Sequence, residues 1–295
     1  MWTLNWWRKR VDADQRVYKG NKEYPEQLIQ IKDHPDFLNV RGKIIRKDLL
    51  SIAVVGARNA TPYGRHMARL ISGGLAASGI TVVSGLARGI DTEAHLAALE
   101  KGGRTIAVLG CGLNIDYPRG SGDLKKRIIA NGALVSEFDT GTPPLPGNFP
   151  ARNRIISGLS LAVVVVQAGL KSGSLITARW ALDQGRDVMA VPGRADDPLS
   201  AGPIALLRDG ASPVCQSDDI LHLLGLDSML QTRNSPGEEE FEADPVMRAL
   251  GPGPRLPEDL AQTTGMPLSR VLSELSRLEL EGLIIRDPGG QFILK

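Results

Sequence analysis

Two cysteines in 295 residues, Cys111 and Cys215, are too few and too far apart for a disulfide framework or a cysteine-based metal site. They suit a reducing compartment as two small thiols, and no disulfide is expected. Aromatic residues make up only 4% of the chain, so a bulky ring beside a polar motif carries information. Neither charge sign dominates: 35 Lys and Arg face 33 Asp and Glu, a net charge of +2. A site for a polyanion must then be local rather than a property of the whole surface. The apolar run LAVVVVQAGL falls far short of the roughly twenty residues a membrane span requires. The opening MWTLNWWRKR has no apolar stretch before its charges, so no signal peptide is read there. A cytoplasmic protein without a membrane contact is expected. Enzyme signatures are missing as well. There is no G-x-x-x-x-G-K-[ST] loop and no G-x-G-x-x-G after the first strand-like run. His34, His66, His95 and His222 form no H-E-x-x-H. No metal, cofactor or catalytic residue is therefore expected. The acids closest to the glycine-rich segments have simple readings, Asp91 as a helix cap and Glu137 as a polar strand end.

What the chain does contain is punctuation and periodicity. Its 33 glycines and 19 prolines separate short β-branched runs: SIAVVG, ITVVSG, RTIAVLG, GALVSE, LAVVVVQA and RDVMAVPG. Amphipathic stretches such as GRHMARLISGGLAASG and DTEAHLAALEKGG lie between most of them. Near-continuous apolar strands alternating with helices predict an α/β fold, a Rossmann-like, doubly wound and mostly parallel sheet covered on both faces. Thr61 and Pro62 read as the cap and first residue of one helix, with Gly79 ending it. Asp91 or Thr92 is expected to cap the next helix, before Gly102. Ser172 or Ser174 should start another, closed by Gly185.

Residues 51–226 form the expected Rossmann-like domain, after an N-terminal extension and lead-in over 1–50. Trp2, Trp6 and Trp7 beside Arg8, Lys9 and Arg10 are either a stacking element or a terminal segment docking on the body. Residues 227–243 have a linker composition. Residues 244–295 read as three helices and a hairpin turned by Asp-Pro-Gly-Gly, a small winged-helix pattern. Val271, Leu272, Leu275, Leu278 and Leu280 should form the apolar face of its third helix. Arg270 and Arg277 there are offset by Glu274, Glu279 and Glu281, which favours a partner-docking or regulatory module over a reader of duplex DNA.

In a parallel sheet, ligands bind beyond the carboxyl ends of the strands. The segments there are GARNATPYG with Arg58, SGLARGID with Arg88, and AGLKSGS with Lys171 and Ser174; FPARNR precedes the fifth run. Gly56, Ser84, Gly85, Gly89 and Gly173 would let backbone amides approach an anion, aided by helix dipoles. Arg58, Arg88 and Lys171 add formal charge. Several cationic loops on one rim fit a ligand with several phosphates.

The motifs VVGARNATPYG, VVSGLARGIDTEAHLAAL, AVLGCGLNIDYP, LVSEF, FPARNRIISGLS, KSGSLITARWAL and AVPG, taken in order, resemble the DNA-processing protein A (DprA, or Smf) family over residues 24–226. The resemblance implies a protein that binds single-stranded DNA and loads the RecA recombinase onto it in natural transformation. It also implies a homodimer formed through the Rossmann-like domain, and no catalysis. Its DNA pocket would use Arg58, Arg88, Phe149, Arg152, Asn153, Arg154 and Lys171, with Phe149 stacking on a base. The family's G-T-N-R-L-I-like segment is matched here by Gly202-Pro203-Ile204-Ala205-Leu206-Leu207, without the Asn and Arg. The N-terminal helical domain typical of many members would be absent or reduced to the Trp-rich start. Two other functions fit the same pattern of elements: a nucleotide phosphoribohydrolase, or a winged-helix transcription factor. The first would need an acidic residue where AGLKSGSLITA has none.

Overall fold

The computed structural model describes residues 14–227, 245–250, 253–280, 284–287 and 289–294. These fall into two compact units, divided between residues 230 and 231. Trp2, Trp6 and Trp7 lie outside the described residues, as does nearly all of the 227–243 linker.

Among the described residues of the first unit, one sheet holds nine strands. In chain order these are β1 (Gln15–Tyr18), β2 (Phe37–Gly42), β3 (Ser51–Val55), β4 (Thr81–Ser84), β5 (Thr105–Val108), β6 (Gly132–Ser136), β7 (Ala162–Val165), β8 (Asp187–Ala190) and β9 (Ser212–Pro213). Their spatial order is β1-β2-β6-β5-β4-β3-β7-β8-β9. From β3 to β9 every pairing is parallel, whereas β2 joins β6, and β1 joins β2, antiparallel. The sheet thus includes β1 and β2, from the stretch read as an extension and lead-in.

The interior strands are apolar on both faces because both faces are covered. Along β3, Ile52 and Val54 join one core with Ile71, Leu75, Ile90 and Ala94. Ala53 and Val55 alternate into the opposite core with Ile155, Ile156 and Ala178. The first core is roofed by α2 (Pro62–Ala77), α3 (Ile90–Glu100) and α8 (Ser217–Leu223). On the other face lie α1 (Glu26–Ile29), α5 (Asn148–Gly158) and α6 (Ser174–Asp183). A smaller core with Ile128 and Leu134 packs α4 (Gly122–Asn131) against the sheet.

Helix starts follow their local chemistry. Thr61 caps α2, its Oγ1 accepting the Gly64 N–H at 3.2 Å, with Pro62 at the first position. The cap of α3 is Gly89, at φ +79°, rather than Asp91 or Thr92. A side chain at 89 would strike the carbonyls of Ala57 and Arg58, so this glycine lets two rim loops touch. Gly173 caps α6 between the two serines expected there. Residues 202–207 are helical, within α7 (Ala201–Arg208), and Gly202 packs on Ala168.

The apolar ILHLLGL stretch (Ile220 to Leu226) is spent mostly on the core. Ile220 and Leu221 are fully buried, and Leu224 and Leu226 pack against the same cluster. Cys111 is buried, Cys215 exposed, and both are free thiols. No helix among the described residues is long and apolar enough to cross a membrane.

The second unit has α9 (Pro245–Leu250), α10 (Pro257–Thr264), α11 (Leu268–Leu280) and a hairpin of β10 (Ile284–Arg286) and β11 (Phe292–Leu294). Val246, Leu260, Val271, Leu275, Leu278 and Phe292 form its core. Leu272, expected on the buried face of α11, is exposed instead: one residue past Val271, it turns away from the seam. Leu280 has no described side chain.

Candidate functional site

The strand order changes direction at β3: β4, β5 and β6 lie on one side, and the chain then crosses to β7, β8 and β9 on the other. Loops leaving the carboxyl ends of β3 and β7 therefore diverge and leave a crevice. A cleft opens there in two adjoining lobes, of about 610 and 420 Å3. Arg58, Ala87, Tyr117, Phe149 and Arg152 line both lobes, so these residues form the divide between them.

Phe149, in the first turn of α5, is the centre of that divide. Its ring lies 5.4 Å from the Tyr117 ring, tilted by 38°, and the Arg58 guanidinium lies 5.4 Å from its centroid. Gly110 backs the ring; a Cβ there would come within 2.8 Å of Phe149 Cδ1. The ring remains only partly covered. Phe149, Arg152, Asn153 and Ile156 all reach the first lobe. Their spacing of i, i+3, i+4 and i+7 puts them on one face of α5.

Arg152 is buried beneath the ring. Its Nη1 donates to the carbonyl of Gly85 at 2.8 Å and to that of Val108, and Nε donates to Asn153 Oδ1 at 3.2 Å. Among the described residues Nη2 has no acceptor, and the side chain borders both lobes. The guanidinium lies flat on Gly85, where a Cβ would sit 2.7 Å from both Nη atoms. Burial pulls the Arg152 pKa down to about 10, and the Asp91 carboxylate pulls it back up. Asp91 is itself fully buried, and burial raises its pKa. The Arg152 charge and the amides of Ala87, Gly85 and Gly56 act against that rise. Instead of capping α3, its carboxylate reaches back to the preceding loop, accepting N–H groups of Gly85 at 3.1 Å and Ala87 at 3.3 Å. A cation and an anion thus shape the loop beneath the ring.

The remaining residues of the sequence reading divide in two. Gly56, Gly173 and Ser174 line the first lobe, and the amino end of α6 opens into it. Asn153 ties that end down by donating to the Gly173 carbonyl at 3.1 Å. Gly85 and the exposed Arg88 line the second lobe. Ser84 lies away from the cleft; its Oγ donates to the Val54 carbonyl at 2.6 Å and pins β4 to β3. Lys171 is exposed on the loop before α6 and lines neither lobe. Arg154 faces the other way. Its two Nη atoms hold Glu137 at 2.7 Å each, and Nε donates to the Asp33 carbonyl at 2.8 Å. This half-buried fork fastens α5 to the end of β6 and occupies the carboxylate that stood as a rim acid.

Tyr117 and Arg119 were not among the sequence candidates, yet both line the second lobe. They belong to the loop after β5, which leaves the sheet at the same rim as the other cationic loops. Its position after a parallel strand was the available signal.

A family model described as DNA recombination-mediator protein A matches residues 15–225, and one described as DprA winged helix domain matches residues 231–290. The chain belongs to the DNA recombination-mediator protein A family. Among relatives in this DprA family, Protein Smf of Escherichia coli K12 is 44% identical over 283 residues, covering 92% of this chain and 75% of that one. DNA processing protein DprA of Streptococcus pneumoniae is 43% identical over 198 residues, covering 67% and 70%. The X-ray structure of the S. pneumoniae DprA has a TM-score of 0.67 at 40% identity, covering 73% of this chain and 76% of that chain. DNA processing protein A from Helicobacter pylori, described for its unique single-stranded DNA binding mode, has a TM-score of 0.65 at 31% identity, over 73% and 97%. The DprA family model begins at the first strand of the sheet, so β1 and β2 lie within the matched region.

Proposed function

We propose that the chain is a cytoplasmic recombination mediator that binds single-stranded DNA in the cleft around Phe149 and presents it to the RecA recombinase, as a homodimer built through the Rossmann-like domain. One observation carries this reading: a partly covered aromatic ring stands beside the Arg58 guanidinium, which has no carboxylate partner among the described residues, in a cleft that the equally unpaired Arg88 and Arg119 also line. A ring can stack on a base only where the base is unpaired, and the guanidiniums can hold flanking phosphates. Sequence preference would be weak, because every base has a face to stack. The chemistry is non-covalent. The two carboxylates lining the cleft are engaged by loop amides, Asp91 by those of Gly85 and Ala87 and Asp116 by that of Gly120, which speaks against a hydrolase. The winged-helix unit is read as a partner-docking or regulatory module, since Arg277 is paired with Glu274 at 2.9 Å.

Fluorescence anisotropy of labelled oligonucleotides across a salt series tests the reading. Single strands should bind better than duplex, and Arg58→Ala/Arg88→Ala should flatten the log–log salt slope by about 1.4, from ~0.7 per neutralised phosphate on each arginine. Equal binding of duplex, indifferent to both substitutions, would move the site elsewhere. Phe149→Ala should weaken single-strand binding by about 1–3 kcal/mol, the usual value of one stacked base, while leaving the salt slope in place. A changed slope with unchanged affinity would deny the ring its stacking role. Light scattering tests the dimer. An earlier onset of RecA ATP hydrolysis on the bound strand tests the hand-over.

A further inference from the structure

Many arginines on the first unit are tied to carboxylates: Arg16 to Asp139, Arg41 to Asp14, Arg65 and Arg69 to Glu93, Arg104 to Asp48, Arg154 to Glu137. Arg58, Arg88 and Arg119 are exposed and have no such partner among the described residues. These three come from three different loops, after β3, β4 and β5, and converge on the second lobe. Like charges brought together without counter-charge repel one another, so an anion bound among them gains from all three. One carboxylate, Asp116, lines this lobe, and its Oδ2 is turned to its own loop, accepting the Gly120 N–H at 3.1 Å. Asp116 thus shapes the turn that carries Arg119. The Tyr117 ring, next in that loop, continues the divide begun by Phe149.

We propose that the second lobe is a separate phosphate subsite, with Arg119 as its outermost contact. The strand then crosses the Phe149–Tyr117 divide instead of ending at it, with one backbone phosphate at Arg58 and a further one between Arg88 and Arg119. The inference rests on the cleft being the single-strand site, and it adds a contact residue, a path and a minimum length. A strand confined to the first lobe would need no cation at position 119. A strand crossing the divide loses a phosphate contact when that cation is removed.

The test is anisotropy with Arg119→Ala and Arg119→Lys on a length series of oligothymidylates, read as salt slopes. Arg119→Ala should lower affinity roughly tenfold at low salt and flatten the slope by about 0.7. Arg119→Lys should keep the slope and recover most of the affinity. On strands too short to cross the divide, wild type and Arg119→Ala should bind alike. A single uncharged methylphosphonate linkage, walked along the strand, should abolish the Arg119→Ala effect at one position. An unchanged slope in Arg119→Ala, alongside a flattened one in Arg58→Ala/Arg88→Ala, would overturn the subsite and leave the cleft reading standing. If wild type binds no single strand, both fall together.

Discussion

Arg152→Ala is expected to destabilise the first unit by about 3–5 kcal/mol, the usual cost of breaking a buried charge pair from one side. The guanidinium is the buried counter-charge to Asp91, and its Nη1 satisfies the carbonyls of Gly85 and Val108 at the ends of β4 and β5. Without it the carboxylate keeps its two loop amides but loses the nearby positive charge, and Asp91 is driven still further above its ordinary range. An acid whose folded-state pKa lies above the unfolded one is least stabilising when ionised. The loss should therefore be largest at pH 8 and smaller at pH 5, where the folded state takes up the proton more readily. Urea midpoints at the two pH values measure this directly. Arg152→Lys should recover part of the stability by restoring charge without the full fork. Gly85→Ala should disturb the same contact from the other side, because its Cβ would press on both Nη atoms. An unchanged midpoint in Arg152→Ala, with binding lost, would make this arginine a ligand contact alone. The geometry predicts that it serves as scaffold first and contact second.

The same stretch shows how far the sequence could be read. FPARNR stood out for its cations and its ring, yet two of its arginines have opposite fates. On a helix, residues two apart point about 200° away from each other, so Arg152 and Arg154 cannot share a cavity. Composition marked the stretch, but only its helical phase separates Phe149, Arg152 and Asn153 from Arg154. Glycine-rich ends after β3, β4 and β7 were legible because parallel strands place their ligands at one rim. The loop after β5 obeyed the same rule, but its lining side chains, Tyr117 and Arg119, lie nine and eleven residues past the strand end, and the stretch served only as a family motif. Asp91 looked like a cap because it lies two residues past Gly89; the positive φ of that glycine starts α3 earlier and swings the carboxylate into the loop. β1 and β2 escaped notice for a different reason. Asn39 and Arg41 interrupt β2, and its strand character comes from pairing with β6 rather than from a continuous apolar run. The winged-helix seam was read correctly at Val271, Leu275 and Leu278, where i, i+4 and i+7 spacing decides burial, and missed at Leu272, which lies off that seam.

Acid should weaken the first unit through His95, well before most carboxylates titrate. The imidazole is fully buried, and its Nδ1 lies 2.7 Å from Thr105 Oγ1. That hydroxyl already donates to the Val82 carbonyl at 2.7 Å, so it can only accept from the ring. The proton therefore sits on Nδ1, and Nε2 is left bare and buried with no partner among the described residues. A second proton would create an N–H without an acceptor, in a dry site within reach of the Arg152 charge. Burial first, and that charge second, hold the His95 pKa down to about 3. Because the folded-state value lies below the unfolded one of about 6.5, the unfolded chain takes up the proton first as pH drops. Stability present above pH 6.5 is then lost progressively toward pH 3, with roughly 2 kcal/mol gone by pH 5. Asp91, raised by its own burial, acts with the opposite sign over part of this range. It is present in both wild type and His95→Gln, so the difference between their urea titrations isolates the histidine. His95→Gln should be less stable than wild type at pH 7.5, and the gap should narrow by about 2 kcal/mol at pH 5. Parallel titrations, with a constant gap from pH 7.5 to 5, would mean that His95 takes up its second proton as readily in the fold as in the unfolded chain, and would overturn the bare, buried Nε2 as the cause of the acid loss.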